Sequence, residues 1–167
     1  MNIITNFNRD FKMSIQFAKG WDYAIKPGEC YRNIYNIVTE WGLDNNIQVG
    51  YGYWGNPSIS MIRHCFLINN SEVIDPTLGE TNREGCCYHI FKVFNQGEYY
   101  DTFYNFLEQN PDGEIYDSLI GMIPEEAEYC KYAIENKVRI DKLSYLTYLK
   151  RYDADNKIVV AGSGGVN

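Results

Sequence analysis

The sequence is poor in the features that would fix its class at a glance. It holds only two histidines, His64 and His89, so chemistry that needs an imidazole has two places to start. It has no basic excess: 15 Lys and Arg stand against 22 Asp and Glu, giving a formal net charge of −7. The basic residues are scattered, whereas phosphate contacts need clustered Lys and Arg, which argues against a nucleic-acid or anionic-membrane surface. No apolar run approaches the roughly 18 to 20 residues of a membrane span. The first residues, with Asn2, Thr5, Asn6 and Asn8, lack the basic-then-apolar order of a signal peptide, so a cytoplasmic protein is expected. No internal repeat is visible.

Cysteine is present but in no framework. The five residues Cys30, Cys65, Cys86, Cys87 and Cys130 make an odd count, and without a secretory signal they read as free thiols. Cys86-Cys87 followed by His89, and the pair His64-Cys65, raise zinc as an option. Neighbouring residues on a strand point to opposite faces, so two adjacent cysteines cannot both grip one tetrahedral ion on regular backbone. No metal is expected. The 15 tyrosines, with eight Phe and three Trp, suit either a substrate groove or the filling of core positions.

At 167 residues the chain suits one domain, spanning 1–161, that can bury a core without disulfide staples. Residues 1–28 show no sustained period, with β-prone pieces such as Ser14 to Phe17 punctuated by Lys19-Gly20 and Pro27-Gly28. From Cys30 the apolar residues Ile34, Ile37, Val38 and Trp41 recur on one helical face, predicting a helix from Glu29 to Trp41 that Gly42 stops. Gln48 to Trp54 alternates like a strand, with Gly50 and Gly52 on one face leaving room for a helix or a substrate. Cys86 to Phe94 reads as a further strand. Glu98 to Glu108, Pro124 to Asn136 and Asp141 to Arg151 read as helices of a C-terminal half over about 95–152. Ile158 to Ala161 suits a last strand and 162–167 a flexible tail. The class is α+β.

Between these elements, Arg63 to Thr77 reads as a β-hairpin in which two β-prone runs flank Asn69-Asn70, residues that accept the positive φ of a tight turn. With those two asparagines as the loop, His64 faces Asp75, and the carboxylate is expected to accept the imidazole Nδ1–H. A turn centred on Asn70-Ser71 would instead set Asp75 opposite Phe66, one diagonal step from His64. The other histidine has no such partner: the nearest acid to His89 is Glu84, in a loop. An oriented histidine needs a nucleophile, and Cys30 opens a helix, where unpaired N–H groups and the helix dipole favour a thiolate and can stabilise an oxyanion.

Cys30 at a helix start, His64-Cys65-Phe66 beginning a strand, and Asp75-Pro76-Thr77 closing the next, in that chain order, resemble the transglutaminase-like branch of the papain-like cysteine peptidase superfamily. Phe66 stands where that pattern often has Trp. The resemblance covers about residues 25 to 80. It implies a core, about 25–94, in which the helix carrying the nucleophilic cysteine packs on a small antiparallel sheet, here with additional C-terminal helices. It implies a Cys30, His64, Asp75 triad that forms a thioester without a cofactor. The expected activity is a cysteine hydrolase (peptidase or amidase) acting on a protein, peptide or small amide. Transglutaminase, glutamine deamidase and acyltransferase activities use the same triad. A catalytically inactive interaction module is the competing class. No glutamine closely precedes Cys30, so the oxyanion is expected to rest on the Cys30 backbone N–H and a second donor, for which Trp21 and Tyr23 are candidates. Asn33 and Trp54 are candidates for lining the site, and Tyr51 and Tyr53 could wall a groove beside Trp54 or pack in the core.

Overall fold

The computed structural model describes residues 8–9, 25–40, 43–70, 72–79, 84–112, 119 and 123–141. In chain order its elements are β1 (Asn8–Arg9), α1 (Cys30–Glu40), β2 (Ile47–Asn56), β3 (Ser60–Asn69), β4 (Glu72–Ile74), β5 (Cys87–Phe94), α2 (Gln96–Gln109) and α3 (Pro124–Glu135). The strands form one sheet in the order β1-β4-β3-β2-β5. The four longer members pair antiparallel, and the two-residue β1 adds in parallel to β4. This is an α+β protein. No helix among the described residues is long and apolar enough to cross a membrane.

Side-chain alternation along the strands decides where the helices go. Val49, Tyr51 and Tyr53 of β2 and Cys65 and Leu67 of β3 share the main core with Ile34, Ile37 and Val38 of α1, Tyr99, Phe103 and Phe106 of α2, and Tyr129 and Ala133 of α3. Tyr51 and Tyr53 are thus core residues, both fully buried. The other face carries Trp54, Phe66, Ile68, Val73, Tyr88 and Ile90 as a second apolar cluster. Each large apolar side chain taken fully out of water contributes about 1.5–3 kcal/mol. Strand β3 is consequently buried without a break from Arg63 to Ile68, which leaves Arg63 and His64 almost no access to solvent.

The predicted elements lie close to the observed ones. Asn95 caps α2 by accepting from the Glu98 N–H at 2.8 Å, which starts that helix two residues earlier than its apolar pattern suggests. Pro124 at the first position and Glu125 and Glu126 in the first turn open α3. Trp41 and Gly42, the β-prone piece Ser14 to Phe17, nearly all of the Asp141 to Arg151 helix, the Ile158 to Ala161 strand and the 162–167 tail lie outside the described residues.

Two expectations change. The glycine face of β2 takes neither a helix nor an open groove: the Phe66 ring fills the space over Gly50, and the His89 carbonyl of β5 occupies that over Gly52. The approach at Gly52 accompanies a bulge in the β2–β5 register between Tyr51 and Gly52. The β3–β4 register is also shifted. Asn69 pairs with Glu72, Ile68 with Val73 and Leu67 with Ile74, so Asn69 belongs to the ladder and the alternative register holds. Asn69 stays in the ladder because it also pairs with Ile47 of β2, and of the two asparagines it is Asn70 that takes the positive φ, 56°.

Gly50 and Gly52 differ in what a new methyl would meet, a ring that can rotate against a carbonyl held in a ladder. Gly52→Ala should therefore destabilise the protein by about 3 kcal/mol and Gly50→Ala by about 1 kcal/mol, the two ends of the usual overpacking range. Urea unfolding of the two variants checks this, and equal losses would contradict the assignment of the backbone clash.

Candidate functional site

Pro27-Gly28 delivers the chain to α1. The Lys26 carbonyl accepts from the Glu29 N–H at 3.2 Å, and Gly28 supplies the positive φ of 78° that a turn with proline at its second position asks of its third. The helix then begins on Cys30, whose side chain lies on the buried face with Asn33, Ile34, Ile37 and Val38. Cys30 thus sits in the first turn, where backbone N–H groups lack intrahelical partners.

β4 ends at Ile74, opposite Leu67. At the far end of β3, Met61 exchanges backbone hydrogen bonds with Arg139 and Asp141. Between these attachments lies the stretch of β3 from Arg63 to Phe66. The start of α1 meets this stretch twice: the Tyr31 hydroxyl accepts from Arg63 at 2.8 Å, and the Cys30 sulfur lies beside the His64 imidazole, close enough to raise its pKa.

The three residues singled out from the sequence come together here. His64 Nε2 meets Asp75 Oδ2 at 2.7 Å. The nitrogen is Nε2, not the expected Nδ1. The contact is the diagonal one. Asp75 follows the last paired residue of β4, so its side chain stays on the Phe66 face and reaches back to His64. One register step therefore did not cost the pair, because a diagonal neighbour on one face lies within reach of a histidine.

Asp75 is fully buried and its oxygens are met by donors. Tyr88 Oη donates to Oδ2 at 2.7 Å and the Leu78 N–H to Oδ1 at 3.1 Å. Burial opposes its ionisation, but the His64 charge and the bonds from His64, Tyr88 and Leu78 win, holding the carboxyl below its ordinary range. Burial likewise pushes the His64 pKa down, and the Asp75 carboxylate and the Cys30 sulfur outweigh it, raising it to about 10. The imidazole is thus held as imidazolium at neutral pH between a carboxylate and a sulfur.

The remaining candidates fall as follows. Asn33 is buried one turn after Cys30, where its Oδ1 accepts from the Lys26 N–H at 3.0 Å and its Nδ2 donates to the Lys26 carbonyl and to Thr77 Oγ1, both at 2.9 Å. It ties the loop before Cys30 to the segment after Asp75. Trp54 is buried on the His64 face of the sheet, packed in the cluster of Phe66 and Tyr88. Trp21 and Tyr23 lie outside the described residues. His89 is buried on the helix side, its Nδ1 2.9 Å from the Tyr129 hydroxyl, and burial lowers its pKa. All five cysteines are free. No group of three His, Cys, Asp or Glu that could hold a metal occurs among the described residues.

Sequence reasoning missed Tyr88, Tyr31 and the Arg63–Glu126 pair. Arg63 Nε lies 2.7 Å from Glu126 Oε1 and its Nη2 2.8 Å from Oε2, with both side chains buried. A signal for it existed: Glu126 shares the apolar stripe of α3 with Tyr129, Cys130 and Ala133, and a carboxylate on such a stripe needs a buried cation. Nothing local in the sequence marks Tyr88 as a partner of Asp75.

The two ionisations give the site a pH window. His64 is raised from 6.5, so its contribution to stability is complete below pH 6.5 and is lost as pH rises toward about 10. Asp75 is lowered from 3.8, so its contribution is complete above pH 3.8 and is lost as pH falls below it. Thermal unfolding should be most favourable to the native state between those limits, and the alkaline decline should flatten in His64→Gln. Parallel alkaline slopes in the two proteins would remove His64 as the source.

No family model, no curated protein and no solved structure matches this chain.

Proposed function

We propose that the protein is a thiol-dependent acyl-transfer enzyme of transglutaminase-like type, acting on an amide or peptide bond through a thioester and resolving it with water. The single observation that carries the reading is the His64 imidazole held between the Asp75 carboxylate at 2.7 Å and the thiol of Cys30, which opens a helix. An imidazolium beside a sulfur at a helix N-terminus favours the thiolate, the nucleophilic form.

In the first half-reaction the Cys30 thiolate attacks the amide carbonyl carbon, and the π pair moves to oxygen. The Cys30 backbone N–H, at the start of α1, stabilises that oxyanion. His64 gives its Nδ1 proton to the departing nitrogen as the C–N bond breaks, leaving the thioester and a free amine. In the second, His64 takes a proton from water, hydroxide adds to the thioester carbonyl, and collapse releases the carboxylic acid and the thiolate. Asp75 stays ionised throughout and stabilises the imidazolium. An amine entering in place of water would give a new amide by the same steps, which is the transglutaminase outcome.

Alkylation with iodoacetamide at pH 7, followed by peptide mapping, tests the pair without a known substrate. Paired with His64, Cys30 should react on the order of tenfold faster than Cys65, Cys86, Cys87 or Cys130. His64→Ala should remove the advantage. Labelling of Cys30 no faster than of the other four thiols would sink the enzymatic reading in favour of an interaction module on the same fold.

A further inference from the structure

Cys30 and His64 lie on different elements, and their neighbours in sequence are bonded to one another. Tyr31 follows Cys30 and Arg63 precedes His64. The Arg63 Nη1 donates to the Tyr31 hydroxyl at 2.8 Å, on the helix side of the sheet, while Cys30 and His64 meet beside it. Arg63 itself has little freedom, because its Nε and Nη2 engage both oxygens of Glu126 between 2.7 and 3.0 Å. Its guanidinium also lies over the rings of Tyr31, Tyr51 and Phe91, 5.4 to 5.7 Å from their centroids. A planar fork fixed on a carboxylate is a rigid anchor for a third donor.

We infer that Tyr31 and Arg63 are positioning residues: Glu126 of α3 fixes the Arg63 guanidinium, and its bond to Tyr31 sets the distance between the Cys30 sulfur and the His64 ring. Apart from the Cys30–His64 contact itself, it is the direct side-chain bond between α1 and β3 among the described residues. The first turn of a helix is its most easily displaced part, and without this bond Cys30 is held to β3 only by apolar packing and by the thiol–imidazole contact itself. The role goes beyond structure because a sulfur and a ring nitrogen exchange influence only within hydrogen-bond reach, and small displacements disable such a pair. The inference rests on Cys30 and His64 acting together as proposed above.

The test compares the pH profile of Cys30 alkylation in the wild type, Tyr31→Phe and Tyr53→Phe. Tyr31→Phe keeps the ring tilted against Tyr51, 5.7 Å between centroids, and removes only the hydroxyl. Tyr53→Phe removes a different hydroxyl bond to the same anchor, Tyr53 Oη to Glu126 Oε1 at 3.2 Å, without touching α1. In the wild type, Cys30 should be alkylated faster than the other four thiols at pH 6 and at pH 7. In Tyr31→Phe the rate at pH 6 should fall about tenfold, while Tyr53→Phe keeps the wild-type profile. Arg63→Lys, which keeps a cation for Glu126 but loses the fork, should shift the profile in the same direction as Tyr31→Phe. An unchanged profile in Tyr31→Phe, or an equal shift in Tyr53→Phe, overturns the positioning role. A wild type whose Cys30 shows no His64-dependent advantage overturns the acyl-transfer reading instead, so the two failures are distinguishable.

Discussion

Two consecutive polar residues on a strand buried on both faces are the constraint from which the rest follows. Arg63 and His64 lie inside the unbroken buried stretch of β3, and because strand neighbours point to opposite sides, each needs its own partner on its own face. A buried cation without one is worth several kcal/mol against folding. Arg63 is met on the helix side by Glu126 and Tyr31, and His64 by Asp75 from the segment that leaves β4. The helix layer is thereby tied to the sheet by a charge pair, and the hairpin by another.

The shortness of β4 is what lets the second pair form. Three residues of ladder, Glu72 to Ile74, leave Asp75 and Pro76 free to turn away, and the carboxylate turns back along β3 instead of continuing to pair with it. Proline after Asp75 favours the extended backbone that this departure uses. The Asp75 carbonyl then accepts from the Gly79 N–H at 3.0 Å and its side chain from the Leu78 N–H at 3.1 Å. The loop is wound on the aspartate. Asn33 closes it from the other side through Thr77, so the loop before Cys30, the start of α1 and the loop after Asp75 form one hydrogen-bonded unit.

Much of this was legible in the sequence, and for physical reasons. The helix at Cys30 shows in a 3.6-residue apolar period, the strands in their alternation, and the grouping of Cys30, His64 and Asp75 in three separate local signals, a helix start, a histidine on an apolar strand and an Asp-Pro. The register was not legible, because Asn69 and Asn70 accept a positive φ equally and only pairing with β2 keeps Asn69 extended. The use of Gly50 and Gly52 was missed because what fills a gap beside a glycine, a ring from β3 or a carbonyl from β5, comes from elsewhere in the chain. Tyr88 and Glu126 meet their partners across long sequence separations, 13 and 63 positions, and are fixed by tertiary packing alone.

The Arg63–Glu126 pair also bears on the electrostatics of its neighbour. A lone guanidinium one residue from His64 would oppose the imidazolium: at the effective dielectric typical of protein sites, two unit charges 4 Å apart interact by about 4 kcal/mol, and the repulsion falls only inversely with distance. With the Glu126 carboxylate on Arg63 at 2.7 Å, the couple is close to neutral as seen from the ring. The groups that set the His64 pKa are then burial, the Asp75 carboxylate and the Cys30 sulfur. Glu126 therefore does two things from one position. It satisfies a buried cation, and by cancelling that charge it leaves Asp75 to govern the imidazole, so that the protonation of the histidine is decided on one face of the sheet while the helix layer is held from the other.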